Sequence, residues 1–89
     1  MTVLVDAPIW RRHDRRFAHL ASDTSFEELH DFAERLGLPR RAFHRDHYDV
    51  PEEWVAAAVA QGAVVVPARE LARRLRTAGL RRAGGVTPA

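Results

Sequence analysis

The sequence predicts a single small α/β domain in which two or three short strands, at least two of them parallel, pack against three or four helices. The run from Val3 to Val5 is typical of a short buried strand, and the β-branched run from Ala63 to Val66 predicts a second short strand. Between and after them, apolar residues recur at the spacing of amphipathic helices. Since helices separate the two runs, we expect their strands to be parallel and joined by a right-handed crossover.

Length and composition agree with one domain. The chain has 89 residues, of which 46% are hydrophobic, and this predicts a globular fold and not a disordered chain. We assign the domain to residues 1–80 and expect residues 81–89, RRAGGVTPA, to form a flexible tail. The absence of cysteine excludes disulfides and thiolate metal ligands, and it suits a reducing cytoplasm.

The sequence carries no signal for export or membrane insertion. The first residues, MTVLVDAPIW, lack the positive start and the long apolar run of a signal peptide. No apolar run approaches the roughly 20 residues that cross a bilayer. We therefore expect a cytoplasmic protein with no membrane contact.

The first half of the chain is predicted to hold the first strand, a candidate second strand and the longest helix. Residues 9–16 are polar and basic and are predicted to form a loop, and Phe17 to Ala21 is the candidate strand. Thr24 is predicted to cap the helix, with Glu27 completing a capping box. Gly37 is predicted to end it. The core-facing stripe of this helix is Phe26, Leu29, Phe32, Ala33 and Leu36.

Three helices that begin at prolines are predicted in the second half. Pro39 begins a short helical turn that reaches Phe43. Pro51, followed by two glutamates, begins a helix that Gly62 ends. Pro67 begins the last helix. Its predicted core-facing residues are Ala68, Leu71, Ala72 and Leu75.

All fourteen basic residues are arginines. An arginine-only, alanine-rich composition is typical of GC-rich coding sequence, and a net charge of +2 is too small to indicate a nucleic-acid-binding protein by itself. The last helix carries Arg69, Arg73 and Arg76 on one face, which is either a solvated surface or a contact for nucleic acid. Arg40 and Arg41 are predicted to hold phosphate groups or an acidic partner.

An aspartate follows the first predicted strand. Asp6 lies at the C-terminal end of that strand, where open α/β sheets place their ligands. The alternative is that it accepts backbone N–H groups in a turn before Pro8. The eight residues VLVDAPIW resemble the opening strand of PIN-type nucleases, and that resemblance implies metal binding by Asp6.

Strand alternation predicts on which face of the sheet one histidine lies. His19 lies in the apolar stretch FAHLASD, and its ring is expected on the face opposite Ala18 and Leu20. With Asp23 four residues later, His19 is a candidate for proton transfer. The alternative is a half-buried histidine bonded to a backbone carbonyl. Two other histidines are interpreted as surface residues, His13 and His30.

The segment HRDHYD, residues 44–49, holds the densest group of polar side chains. In an extended segment, His47 and Asp49 share one face and can bind one divalent cation, and nitrogen and oxygen ligands favour zinc, manganese or iron. The alternative is that Asp49 caps the helix that follows. The other polar residues of the segment are interpreted as a solvated lead-in, His44, Arg45 and Asp46.

The order of these motifs resembles the small bacterial and phage proteins of the domain of unknown function 4031 family. The resemblance extends from TVLVDAPIW through HLASDTSFEELHDFAERLGLPRRAFH and HYDVPEE to GAVVVPARELARRLR. The polar positions of the family pattern correspond to Asp6, His19, Asp23, Thr24, His47, Tyr48 and Asp49. The resemblance implies an intracellular protein and supplies no activity.

Two functions follow as hypotheses. In the first, Asp6, His47 and Asp49 bind a divalent metal such as zinc or manganese. His19, tuned by Asp23, transfers a proton during reaction of a phosphate-containing substrate. In the second, the protein is a non-catalytic module whose arginine-rich face binds nucleic acid or another protein. The sequence leaves the substrate and the oligomeric state open.

Overall fold

A mixed β-sheet occupies the centre of the structure. The computed structural model describes residues 2–7, 10–12 and 14–81. The strands are β1 (Val3–Val5), β2 (Trp10–Arg12), β3 (Arg15–Ser22), β4 (Phe43–His44), β5 (His47–Pro51) and β6 (Val64–Val65). The helices are α1 (Phe26–Leu36), α2 (Val55–Gln61) and α3 (Ala68–Thr77), with 3₁₀ turns at Arg40–Ala42 and Glu52–Trp54. Among the described residues, no helix has the length and apolar character needed to cross a membrane.

The strand order in the sheet is β4-β5-β3-β1-β6, and β2 also pairs with β3. β1 and β6 are parallel, which confirms the predicted pairing of the two clear strands. β3 pairs antiparallel with β1, β2 and β5, and β4 and β5 form an antiparallel hairpin. The α/β class is thus confirmed. The predicted number of strands is wrong, because the described residues form six strands and not two or three.

The additional strands come from polar sequence. Much of the predicted loop at residues 9–16 instead forms β2 and the start of β3, where Arg11 lies opposite Arg16. HRDHYD likewise forms the hairpin of β4 and β5, with Arg45 at φ 57° in its two-residue turn. The short strands β2 and β4 are held by backbone pairing and show no apolar alternation in the sequence. Since β5 continues through Pro51, α2 begins at Val55, later than predicted.

The two faces of the sheet are covered to different extents. On the first face, alternate strand residues pack against α1 and α2. The buried strand residues on this face are Val3, Val5, Ala18, Leu20, Tyr48 and Val50. On the second face, Leu71 and Leu75 of α3 pack on Leu4 and Ala21, as their predicted core-facing positions require. Because α3 covers only part of this face, polar side chains occupy the region where β3 pairs with β5.

Helix α1 begins one residue later than predicted. Its N-cap is Ser25 and not Thr24, and Ser25 Oγ accepts the Glu28 N–H at 3.1 Å. The Ser22 hydroxyl donates to the Glu28 carboxylate at 2.5 Å and accepts the N–H groups of Thr24 and Ser25. Two serines therefore satisfy donors that would otherwise be left without partners at the start of the helix.

We expect Ser25→Ala to lower the free energy of unfolding by about 1 kcal/mol, because the Glu28 N–H loses its acceptor. Thr24→Ala is the matched control, since the Thr24 hydroxyl donates only to the Asp23 carboxylate in an exposed contact. Thr24→Ala should therefore lower the free energy of unfolding by less than Ser25→Ala does. Urea denaturation of both variants measures the difference, and equal losses would argue against Ser25 as the cap.

Candidate functional site

Polar side chains of three neighbouring strands meet on the partly covered face of the sheet. In the antiparallel register of β3 and β5, His19 lies directly opposite Asp49. His47 precedes Asp49 by two residues and so shares its face. Asp6 follows β1, and its N–H donates to the His19 carbonyl at 3.1 Å. The fold therefore brings together four residues that the sequence singled out.

The Asp6 carboxylate is buried beside the His19 ring. Only 1% of Asp6 is exposed. Its Oδ1 accepts the His19 backbone N–H at 2.6 Å, and its Oδ2 lies 2.8 Å from His19 Nδ1. Asp6 is thus a cross-strand partner and more than the cap of a local turn. When Nδ1 donates to the carboxylate, Nε2 carries the lone pair of the neutral ring.

A second buried carboxylate contacts His47 in the same way. Asp46 Oδ1 lies 2.8 Å from His47 Nδ1, and Asp46 is only 6% exposed. Arg81 donates to both Asp46 oxygens, from Nε at 2.7 Å and from Nη2 at 2.9 Å. Burial would raise the pKa of Asp46, but hydrogen bonds and charges from Arg81 and His47 outweigh it and hold this pKa below its ordinary value. The interpretation of Asp46 as a solvated residue is therefore wrong.

His19, His47 and Asp49 bring one ligand atom each within 4.8 Å of one another. The two imidazole rings meet edge to face, with their centroids 4.8 Å apart. His47 Nε2 lies 3.3 Å from Asp49 Oδ1. Two ligands that each lie about 2.1 Å from a tetrahedral zinc ion are themselves about 3.4 Å apart. We call these three residues, together with Asp6 and Asp46, the His/Asp cluster.

The three candidate ligands are accessible to a cation from solvent. The side chains of His19, His47 and Asp49 are 25%, 17% and 14% exposed. His44 lies at the edge of the cluster, half exposed, with its Nε2 3.2 Å from Asp49 Oδ2. His44 therefore contacts the cluster, whereas the sequence predicts a solvated residue that only precedes the site. Pro51, and not Asp49, occupies the N-cap position of the 3₁₀ turn that follows.

Asp23 lies at the opposite end of β1 from the cluster. Its N–H donates to the Thr2 carbonyl at 3.1 Å, and its Oδ1 accepts the Thr2 N–H at 2.9 Å. Burial opposes ionisation, but hydrogen bonds, chiefly from Thr2, and the charge of Arg74 at 2.8 Å hold the pKa of Asp23 below its ordinary value. The carboxylate that contacts the His19 ring is that of Asp6. The expected pairing of His19 with Asp23 is therefore wrong.

Arg40 and Arg41 are neighbours that face different parts of the molecule. Arg41 lines a cleft that includes His44 and Asp49. Arg40 lines a small hollow beside Tyr48, on the side of the sheet that α1 covers. Of the two, Arg41 is the one placed to meet a ligand at the His/Asp cluster.

His30 is a half-buried contact between α1 and β5, and the interpretation of it as a surface residue is wrong. Its Nδ1 lies 2.7 Å from the Tyr48 hydroxyl, and the Phe43 ring packs on it at 4.6 Å. Burial, with the nearby charge of Arg40, lowers the pKa of His30. His13 lies outside the described residues.

The predicted basic face of α3 is partly neutralised. Arg73, its central member, donates to the Glu70 carboxylate from two nitrogens. Arg74, the next residue, pairs with both Glu70 and Asp23. Hydrogen bonds from Arg73 and Arg74 lower the pKa of Glu70. These pairs reduce the positive potential that a nucleic-acid contact on α3 would need.

Comparison with known proteins agrees with the resemblance seen in the sequence. The profile of a family described as a protein of unknown function, DUF4031, matches residues 3–78. No curated protein and no solved structure matches the chain. The matched range contains the whole His/Asp cluster and ends before Arg81. Because the match covers most of the chain, the protein belongs to the DUF4031 family.

Proposed function

We propose that the protein binds a divalent transition metal and uses it to hydrolyse a phosphate ester. The observation that carries the proposal is the pair of carboxylate–histidine contacts, Asp6 with His19 and Asp46 with His47. A histidine that binds a metal usually donates its other N–H to a carboxylate, which fixes the tautomer and makes the ligating nitrogen more basic. Asp49 completes a set of two nitrogens and one oxygen.

The ligand set narrows the choice of metal. Two imidazoles and one carboxylate suit zinc, manganese or iron(II), and we expect zinc or manganese. Three protein ligands leave at least one coordination position for water or substrate, as in catalytic metal sites. We assign His19 as a ligand and not as the acid–base residue, because it belongs to the candidate ligand group and its Nδ1 is bonded to Asp6, which leaves Nε2 as the nitrogen that would bind a metal.

The neighbouring side chains suit phosphoryl chemistry. A bound metal would lower the pKa of a coordinated water and polarise a phosphoryl oxygen. In such a hydrolysis the water oxygen would form a bond to phosphorus and give up a proton, the ester P–O bond would break, and the leaving oxygen would take up a proton. His44, half exposed and next to Asp49, is placed to transfer that proton. Arg41, in the adjoining cleft, is placed to bind the substrate phosphate.

Metal is expected to stabilise the parent protein and not its ligand variants. After treatment with a chelator, Mn²⁺ or Zn²⁺ at 100 times its Kd should stabilise the parent by about 2.7 kcal/mol, or about 10–20 °C in Tm. His47→Ala removes a ligand nitrogen and Asp49→Asn removes the negative charge of a ligand, so both variants should lose this gain. Thermal melts with and without each metal measure the effect.

Asp31→Asn is the matched control, because it makes the same change at an exposed position of α1 outside the cluster. It should retain the full gain. Without metal, Asp49→Asn should melt close to the parent, since neutralising one of several clustered carboxylates relieves repulsion. If no divalent ion stabilises the parent, and both ligand variants melt far below it, the cluster is structural and the proposal is wrong.

A further inference from the structure

A cleft of about 410 Å³ adjoins the His/Asp cluster. Its volume falls within the range of about 300–1,000 Å³ that is usual for small-molecule sites. The cleft includes Asp49 and His44 at the cluster and reaches Pro51 and Trp54. The candidate metal ligand Asp49 is therefore also part of the wall of a cavity large enough for an organic ligand.

One part of the cleft is apolar and aromatic. Phe17 and Pro51 are opposite each other in the β3–β5 register, and Trp54 lies in the 3₁₀ turn that follows β5. Leu38 and Ala42 add further apolar lining. Aromatic side chains in such a cleft suit a flat heteroaromatic ring, because stacking of a base on an aromatic side chain contributes about 1–3 kcal/mol.

The other part of the cleft contains two arginines. Within the part of the chain that the structure describes, no carboxylate forms an ion pair with Arg41, which is exposed. Arg15 also lines the cleft, but it pairs with Glu53 and lies over the Phe17 ring at 5.7 Å. Of the two described arginines that line the cleft, Arg41 is therefore better placed to bind an anionic group of a ligand.

The two parts are spaced for one ligand with a ring and a phosphate. Asp49 and Pro51 are two residues apart on β5, which corresponds to about 7 Å along the strand. A sugar-sized spacer covers this distance, so a phosphate at Arg41 and Asp49 and a ring at Phe17 and Trp54 can belong to one molecule. We propose that the cleft binds a nucleoside monophosphate. The inference names the substrate class of the proposed phosphate-ester hydrolysis, and its phosphate end rests on that function.

Calorimetric titration with adenosine 5′-monophosphate, adenosine and inorganic phosphate tests this proposal on the intact protein, and each nucleotide is supplied as its non-hydrolysable phosphonate analogue because the metal-loaded protein would hydrolyse the ester. In the presence of Mn²⁺, the monophosphate should bind about tenfold or more tightly than either fragment, because only it occupies both parts of the cleft. A parallel titration with uridine 5′-monophosphate shows whether the cleft also accepts a pyrimidine ring. Inorganic phosphate that binds as tightly as both nucleotides would overturn the role of the ring.

Two neighbouring arginines provide the matched variants. Arg41→Gln should weaken binding of the monophosphate about tenfold or more and leave adenosine binding unchanged, because it removes a charged hydrogen bond to phosphate. Arg40→Gln makes the same change outside the cleft and should bind like the parent. Phe17→Leu should weaken adenosine and the monophosphate alike. Equal losses in the two arginine variants would overturn the placement of the phosphate.

Failure of this proposal can be told from failure of the proposed function. If metal stabilises the parent but no nucleotide binds with or without Mn²⁺, the cleft assignment is wrong and the metal site stands. If the monophosphate binds in chelator and no metal stabilises the protein, the cleft assignment stands and the metal site is wrong.

Discussion

Asp6→Asn is expected to weaken metal binding by about 10–100-fold and to leave most of the fold in place. The asparagine carbonyl can still accept the His19 backbone N–H, but its amide nitrogen donates and so turns His19 Nδ1 into an acceptor. The ring proton then moves to Nε2, the atom that would bind the metal. The substitution thus changes the tautomer of a proposed ligand without removing its side chain.

Metal titration followed by thermal melting measures this loss, and nitrogen NMR of the His19 ring reports which nitrogen carries the proton. Asp6→Ala distinguishes the effect on the His19 tautomer from the contribution of Asp6 to the stability of the fold. It removes both contacts and leaves the buried His19 N–H without its acceptor, which should lower the free energy of unfolding by about 1–3 kcal/mol. If Asp6→Asn binds metal like the parent while Asp6→Ala is destabilised, Asp6 supports the fold only and His19 is not a ligand.

Arg81→Gln is expected to lower the free energy of unfolding by about 1–3 kcal/mol. It removes a two-point contact to the buried Asp46 carboxylate, whose remaining partner is His47. Breaking a fully buried ion pair costs about 3–5 kcal/mol. We expect the smaller loss of about 1–3 kcal/mol for Arg81→Gln, because about a third of the Arg81 side chain is exposed and solvent screens the pair. Metal binding should weaken as well, since Asp46 orients His47.

The loss in Arg81→Gln should depend on pH. The pKa of Asp46 in the folded protein lies below its ordinary value of 3.8. Its ionised form therefore contributes stability that is present above this value and is lost as pH falls through the lower folded pKa. The difference between parent and variant should be complete at neutral pH and shrink below about pH 4.

Urea denaturation of the metal-free proteins across this pH range tests the dependence. Arg76→Gln removes the same charge from an exposed position on α3 and should show neither the loss nor its pH dependence. A difference between parent and Arg81→Gln that stays constant down to the lowest pH would mean that Arg81 acts by packing its apolar stem and not through the Asp46 carboxylate.

The elements that could be predicted from the sequence are those with an apolar period. β1 and β6 appeared as β-branched runs, and α1 and α3 as stripes of core-facing residues. β2 and β4 could not be predicted, because each is only two or three residues long and their pairing is made by backbone groups. The cap at Ser25 was missed because Thr24 with Glu27 offers the same motif one residue earlier.

The candidate site was predicted in part for a similar reason. Asp6, His19, His47 and Asp49 stand at the ends of elements or on alternating strand positions, where local sequence indicates which face a side chain takes. Asp46 gave a weaker signal, a carboxylate directly before a histidine. The contact of Arg81 joins residues 35 apart in sequence and depends on how α3 lies against the sheet, so no local pattern reports it.

The antiparallel register that places His19 opposite Asp49 also directs Tyr48 and Val50 into the apolar core. A slip of β5 by one residue would bring those two apolar side chains to the polar face and bury His47 and Asp49 in their place. Exposing a tyrosine and a valine costs about 1.5–3 kcal/mol for each, before the cost of burying polar groups is added. Packing on the opposite face of the sheet therefore selects which side chains reach the candidate ligand positions, although the residues that pack there lie on the other side of the sheet from those positions.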